Sequence, residues 1–139
     1  MLMQLTRDHD ALRGMMGEFA HIMRTRGPEA LPDIARRRIA FSQLFRDHMG
    51  REDALVVALR SGSTAAQADS VMRDHSRAMV ALFLRYSDHI KDWTPAQITQ
   101  DWHGYRDAVL ELQQGLLDRM AWEERHLHPL MVDAPRRAA

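Results

Sequence analysis

The chain has 139 residues, of which 45% are apolar and 27% charged, a composition typical of a single soluble globular domain. Its 19 lysine and arginine residues balance 19 aspartate and glutamate residues, so no net charge favours binding to nucleic acid or to an anionic membrane. The absence of cysteine excludes disulfides, thiolate catalysis and zinc–sulfur sites, so any metal must be held by imidazole nitrogen and by oxygen.

The first ten residues contain Arg7, Asp8 and Asp10 and lack the apolar segment of a signal peptide. No stretch of the sequence is long and apolar enough to span a bilayer. We therefore expect a cytoplasmic protein with one domain over residues 1–132 and a disordered tail over residues 133–139.

Glycine and proline are few and clustered, and they divide the chain into four segments. The predicted breaks lie at Gly27-Pro28, with Pro32-Asp33 opening the second segment, at Ser61-Gly62-Ser63 and at Asp92-Trp93-Thr94-Pro95. Gly62 suits the C′ position of a helix, with Ser63 or Thr64 as the next N-cap. Thr94 suits an N-cap, with Pro95 in the first turn of the fourth helix.

Between these breaks, apolar residues recur every three or four positions, which predicts amphipathic helices and no strands. Four helices joined by short loops favour an all-α fold, an antiparallel up-down-up-down four-helix bundle. The ten methionines are expected to fill gaps in its core.

Polar side chains that can bind a metal interrupt each apolar stripe. They are His9 on the first predicted helix, His48 and Glu52 on the second, His75 on the third and Glu123 on the fourth. Residues three or four positions apart share a helix face, so all five are expected to point into a common interior. Buried imidazoles and carboxylates are costly unless they are paired or bound to a metal, and this donor set suits iron, manganese or zinc.

A weak internal repeat accompanies these residues. The tripeptide Arg-Asp-His occurs at residues 7–9, 46–48 and 73–75, and residues 47–53 resemble residues 118–124. The second match aligns Glu52 with Glu123 but aligns His48 with Arg119. The repeat indicates two similar halves, each with a single histidine and a second helix that carries an i, i+4 pair.

In this order the residues resemble the pattern of hemerythrin-like (HHE cation-binding) domains, from about Leu5 to Met131. That pattern is His on the first helix, His-x-x-x-Glu on the second, His on the third and His-x-x-x-Glu on the fourth. His9, His48-x-x-x-Glu52 and His75 match the first three places, and Glu123-Glu124-Arg125-His126-Leu127-His128-Pro129 is similar to the family ending Glu-Glu-x-x-Leu-Phe-Pro. The resemblance implies a di-iron centre bridged by the carboxylates of Glu52 and Glu123.

The chain departs from the family pattern at Arg119, which replaces the histidine of the fourth helix. A guanidinium cannot ligate a metal and brings a fixed positive charge. Three states remain open: a di-iron site completed by water or a rearranged side chain, a mononuclear site, and an empty site. For a single ion we favour the half built by His9, His48 and Glu52, because its ligands are intact.

Other polar residues are expected to be structural. His21, His103 and Glu124 are expected to face solvent, and Arg36-Arg37-Arg38 to form a solvated face. His126 and His128 lie about one turn past Glu123. Either could substitute for the missing metal ligand, but we favour a structural role for both at the helix end. His89 and Tyr86 lie several turns from His75 along the third helix.

The resemblance implies binding or sensing of a small diatomic molecule such as dioxygen or nitric oxide, peroxide chemistry, or iron handling. One alternative is haem held by two of His9, His48 and His75, with Met79 as a thioether ligand. Another is a helical regulatory domain whose metal site has decayed, with Arg119 and Glu123 as a structural ion pair. The sequence contains no nucleophile–base pair and no phosphate loop, so it does not predict a conventional enzyme. Redox chemistry at the metal stays open. The sequence leaves the metal, the exogenous ligand and the oligomeric state undetermined.

Overall fold

The computed structural model describes residues 2–60 and 65–133, with side chains for all of these except 65–67, 132 and 133. Within these ranges the chain is helical and contains no strand, which confirms the predicted all-α class. The helices are α1 (Leu2–Thr25), α2 (Leu31–Arg60), α3 (Ala65–Asp92), α4 (Pro95–Gln100), α5 (Trp102–Trp122) and α6 (His128–Asp133). A 3₁₀ turn, Pro28–Ala30, precedes α2, and a π-helical turn, Glu123–Leu127, joins α5 to α6.

The four long helices pack side by side. Helix α1 contacts α2 and α5, and α3 contacts the same two helices, while the short α6 packs on α1 and α2. The antiparallel four-helix topology stays a prediction. In the described part of the chain, no helix is long and apolar enough to cross a membrane.

The predicted boundary before the fourth segment is correct, but that segment is not one helix. Thr94 caps α4 by accepting a hydrogen bond from the backbone N–H of Gln97 at 3.3 Å. Asp101 then interrupts the helix and caps α5 by accepting a hydrogen bond from the backbone N–H of Gly104 at 2.9 Å. Short acidic side chains compete in this way for backbone donors, so the single helix predicted here is wrong.

Two predicted boundaries lie partly or wholly outside the described residues. The caps at Gly62, Ser63 and Thr64 fall in the gap between α2 and α3. Of the predicted disordered tail, 133–139, residues 134–139 lie outside the described residues. Asp133 is the last residue of α6, so the prediction is wrong for this residue. At the first break, the chain leaves α1 at Thr25, two residues before the predicted Gly27.

The apolar interior is divided by a polar layer. One cluster of buried side chains, including Leu5, Leu59 and Leu127, lies on one side of it. Leu12 and Met120 belong to a second cluster on the other side. Each fully buried side chain of this kind contributes roughly 1.5–3 kcal/mol to folding. These clusters exclude water from the polar layer between them, in which the sequence predicts a metal site.

Candidate metal centre

The five predicted ligands are all buried. The exposed fractions are 0% for His9, 2% for His48, 0% for Glu52, 6% for His75 and 3% for Glu123. Four of them, all except His75, each present a ligand atom within 4.8 Å of the others. Because metal bonds to imidazole and carboxylate are about 2.0–2.2 Å long, ligands of one ion lie no more than about 4.4 Å apart. The four-residue group therefore has nearly the dimensions of a single ion's coordination shell.

Individual distances within this group show how its donor atoms converge. The Nε2 atoms of His9 and His48 lie 3.2 Å apart. His9 Nε2 also lies 3.2 Å from Glu123 Oε1, and His48 Nε2 lies 3.3 Å from Glu52 Oε2. Two facing imidazole nitrogens can share one proton at most, so this arrangement suits a cation between them.

A carboxylate behind His48 orients its ring. Asp8 is 2% exposed, and its Oδ2 accepts a hydrogen bond from His48 Nδ1 at 3.0 Å. Arg51 donates to both Asp8 oxygens at 2.7 and 2.8 Å, and Gln4 donates at 3.0 Å. Burial alone would raise the pKa of Asp8, but these hydrogen bonds outweigh it and lower that pKa. The ionised carboxylate holds the proton on His48 Nδ1 and leaves Nε2 as the donor for a metal.

A similar pair lies behind His9. Glu124 Oε2 is 2.7 Å from His9 Nδ1, and Arg13 donates to Glu124 Oε1 at 2.9 Å. Burial would raise the pKa of Glu124, but the contacts with Arg13 and His9 lower it. The prediction that Glu124 faces solvent holds only in part, because the side chain is 33% exposed and also lies against His9 Nδ1.

His75 lies beside the four-residue group, with its ring between Glu52 and Arg119. Its Nε2 is 2.7 Å from Glu52 Oε1, and its Nδ1 accepts a hydrogen bond from Arg119 Nη2 at 3.2 Å. Arg119 Nε is 3.6 Å from Glu123 Oε2, and its guanidinium carbon lies 3.9 Å above the Trp122 ring. The guanidinium thus supplies a positive charge between His75 and Glu123.

Glu52 links the two parts of the layer. The pKa of its carboxyl is lowered: burial would raise it, but the contacts with His48 and His75 outweigh that effect. Neither oxygen forms a well-aligned hydrogen bond with any described residue, although both imidazoles are close. A fully buried, ionised carboxylate with poorly satisfied oxygens fits a site that coordinates a cation.

His128 is an additional donor at the edge of the site. It is 5% exposed, its ring centroid lies 5.2 Å from that of His9, and Nε2 has no hydrogen-bond partner among the described residues. Burial lowers the pKa of His128 to about 4, so the ring is neutral at pH 7. The π-helical turn shifts the helical register before His128, and the His128 ring lies beside His9.

Sequence reasoning favoured a helix-end role for His128, and the structure instead buries the ring against His9. The regular helical period does not reveal a π turn, so nothing in the sequence indicated this placement. Asp8 was also missed, although the repeated Arg-Asp-His tripeptide was a signal for it. As expected, His21 and His103 are exposed.

Comparisons of the chain with known protein families, with characterised proteins and with solved structures found no match.

Proposed function

We propose that this chain is a hemerythrin-like metal-binding protein that holds one iron ion on His9, His48, Glu52 and Glu123. The observation that carries the proposal is the convergence of four buried ligand atoms within 4.8 Å of one another. In this proposal the four long helices form an antiparallel up-down-up-down bundle around the ion. Imidazole with carboxylate suits iron, manganese and zinc, and iron is the metal that the family resemblance implies.

The position of Arg119 supports one ion instead of two. Its guanidinium contacts both His75 and Glu123, the side chains that a second ion would need. A permanent cation in that place neutralises the carboxylate of Glu123 and opposes the approach of a second metal. In this proposal His75 lies against Glu52 and Arg119 and is not a ligand of the ion.

His128 is proposed as a further ligand of the same ion. It offers a buried, neutral imidazole nitrogen that no described residue satisfies. It also lines a surface cleft with Thr6, Asp10, Arg13 and Glu124. We propose that a small molecule approaches the ion from this cleft, since His128 and Glu124 lie beside His9.

Iron bound here would supply a coordination position for a small exogenous molecule such as dioxygen or nitric oxide. The chain's own residues hold the imidazoles through Asp8 and Glu124 and exclude water with the apolar clusters on both sides. The haem alternative is not favoured. A porphyrin between His9 and His48 would have to displace Glu123 and Glu52, whose oxygens lie within 3.3 Å of the two Nε2 atoms.

The proposal is tested by metal content. The protein is stripped of metal, loaded anaerobically with Fe(II), desalted and measured by plasma mass spectrometry and absorption spectroscopy. We expect one ion per chain, and loss of that ion in His48→Ala. His103→Ala is the matched control, because it removes an exposed histidine from α5. Full iron retention in His48→Ala, or no retention in the unmodified chain, would refute the proposal.

A further inference from the structure

A second cavity, separate from the metal centre, lies between α1, α2, α3 and α5. Its volume is about 500 Å³, within the range of pockets that bind small organic molecules. Most of its lining is apolar and includes Met16, Phe19, Phe45, Leu112 and Leu116. None of the proposed metal ligands lines it. Methionine side chains adapt to the shape of an apolar occupant.

One end of this cavity is polar. Tyr105 is 1% exposed, and its hydroxyl forms no well-aligned hydrogen bond within the described part of the chain. Burial raises the pKa of Tyr105, and a side-chain contact with Arg38 opposes that effect. The ring of His89 stacks on the Tyr105 ring at 5.7 Å, and the charge of Arg38 acts on both residues. All three line the cavity. A buried hydroxyl that lacks a well-aligned hydrogen bond costs at most about 1–3 kcal/mol, so a polar group of an occupant would stabilise this end.

Arg38 differs from the two arginines that precede it. Arg36 and Arg37 both form ion pairs with Asp33, and Arg37 also pairs with Glu18 at 2.7 Å. Arg38 is half-buried and has no carboxylate within ion-pair distance among the residues described. The predicted solvated face fits Arg36 and Arg37, which form surface ion pairs, whereas the half-buried Arg38 brings an unneutralised positive charge to the cavity.

We propose that this cavity binds an amphipathic carboxylate, a fatty-acid-like molecule with one anionic group and an unbranched apolar chain. The carboxylate pairs with Arg38 and accepts a hydrogen bond from the Tyr105 hydroxyl. The apolar chain lies among the methionine, phenylalanine and leucine side chains and points along α2 toward Met49. The distance along α2 from Arg38 to Met49 is roughly 16 Å, at about 1.5 Å per residue, which suits a medium-length alkyl chain.

The charges around the cavity favour an anion over an alcohol or a cation. Glu18 is an acidic lining residue, but it is already paired with Arg37. Arg46 also lines the cavity, so the lining contains a second positive charge that disfavours a cationic occupant. A carboxylate would gain a charge-assisted hydrogen bond here that a hydroxyl would not match.

The test compares three probes of equal chain length, decanoate, decanol and decyltrimethylammonium, by calorimetric titration of the purified chain. We expect saturable binding of one decanoate per chain, at least tenfold tighter than binding of either other probe. Arg38→Gln should weaken decanoate binding about tenfold and leave decanol binding unchanged. Tyr105→Phe should weaken it three- to tenfold. Arg36→Gln is the matched control, from the exposed side of the same arginine run, and should bind like the unmodified chain.

Three results would overturn the proposal. One is the absence of saturable decanoate binding. Another is equal affinity for decanoate in Arg38→Gln, which would indicate unspecific adsorption to apolar surface. The third is retained binding in a cavity-filling variant, Leu112→Trp, whose helix content is checked by circular dichroism. Decanoate is also titrated into metal-free and into iron-loaded protein. The cavity and the metal centre share no residue, so decanoate affinity should be the same in both.

Discussion

Replacing Arg119 with histidine should convert a one-ion site into a two-ion site. The substitution removes the guanidinium between His75 and Glu123 and places an imidazole one helical turn before Glu123. Losing the cation leaves Glu123 buried without its charge partner, which costs about 3–5 kcal/mol in comparable pairs. Loss of the stacking on Trp122 adds roughly 1 kcal/mol. Because the new imidazole can hydrogen-bond to Glu123, we expect a net loss of about 3 kcal/mol of unfolding free energy without metal.

The assay combines metal counting with thermal melts at increasing Fe(II). We expect Arg119→His to bind two ions per chain and to regain its stability as the second ion binds, since a ligand that binds only the folded state stabilises it. Arg119→Gln is the control, because it removes the charge without supplying a metal ligand, and it should retain one ion. Two ions in the unmodified protein, or one in Arg119→His at saturating iron, would refute the assigned role of Arg119.

Three further expectations follow from contacts around the site. Asp8→Asn should lower iron affinity about 10- to 100-fold in a chelator competition, because His48 loses the carboxylate that orients it; unchanged affinity would exclude that role. In metal-free protein, the unfolded chain takes up a proton at His128 below about pH 6.5 while the folded chain resists until about pH 4. The free energy of unfolding therefore decreases, by at most about 3 kcal/mol, as the pH is lowered through this window. In denaturant titrations at pH 7 and pH 4.5, His128→Gln should show a smaller decrease than the unmodified chain. An equal decrease would contradict the burial of a neutral ring. Leu5→Ala, at a fully buried position, should cost about 2–5 kcal/mol of unfolding free energy, whereas Met3→Ala, 70% exposed, should cost little; similar losses would contradict the packing described.

The helical content and the start of α4 could be predicted because they depend on local signals. Apolar residues at a period of 3.6 identify helices, and Pro95 after Thr94 marks a start that the structure confirms. The break at Asp101 could not be predicted, since an aspartate inside a helical pattern caps a new helix only when neighbouring packing favours it. The π turn is also invisible, because a single added residue changes no pattern on either side of it.

The candidate ligands were identifiable because each interrupts an apolar stripe, and all five are buried in the structure. Asp8 and Glu124 were missed because their roles depend on contacts between helices, where rotation by one residue decides whether a side chain faces solvent or an imidazole. His128 was misplaced for a related reason, since the regular helical period puts it on a different face from Glu123. The departure at Arg119 was visible in the sequence, but its simultaneous contact with Glu123 and His75 required coordinates.

The central claim is that one metal ion lies between His9, His48, Glu52 and Glu123. Crystals of the iron-loaded protein, measured with X-rays on both sides of the iron absorption edge, test it most directly. We expect one anomalous peak per chain, at about 2.0–2.2 Å from the four ligand atoms. A chain without a peak in this layer, or with a peak bound to His75 in place of His9 and His48, would contradict the claim.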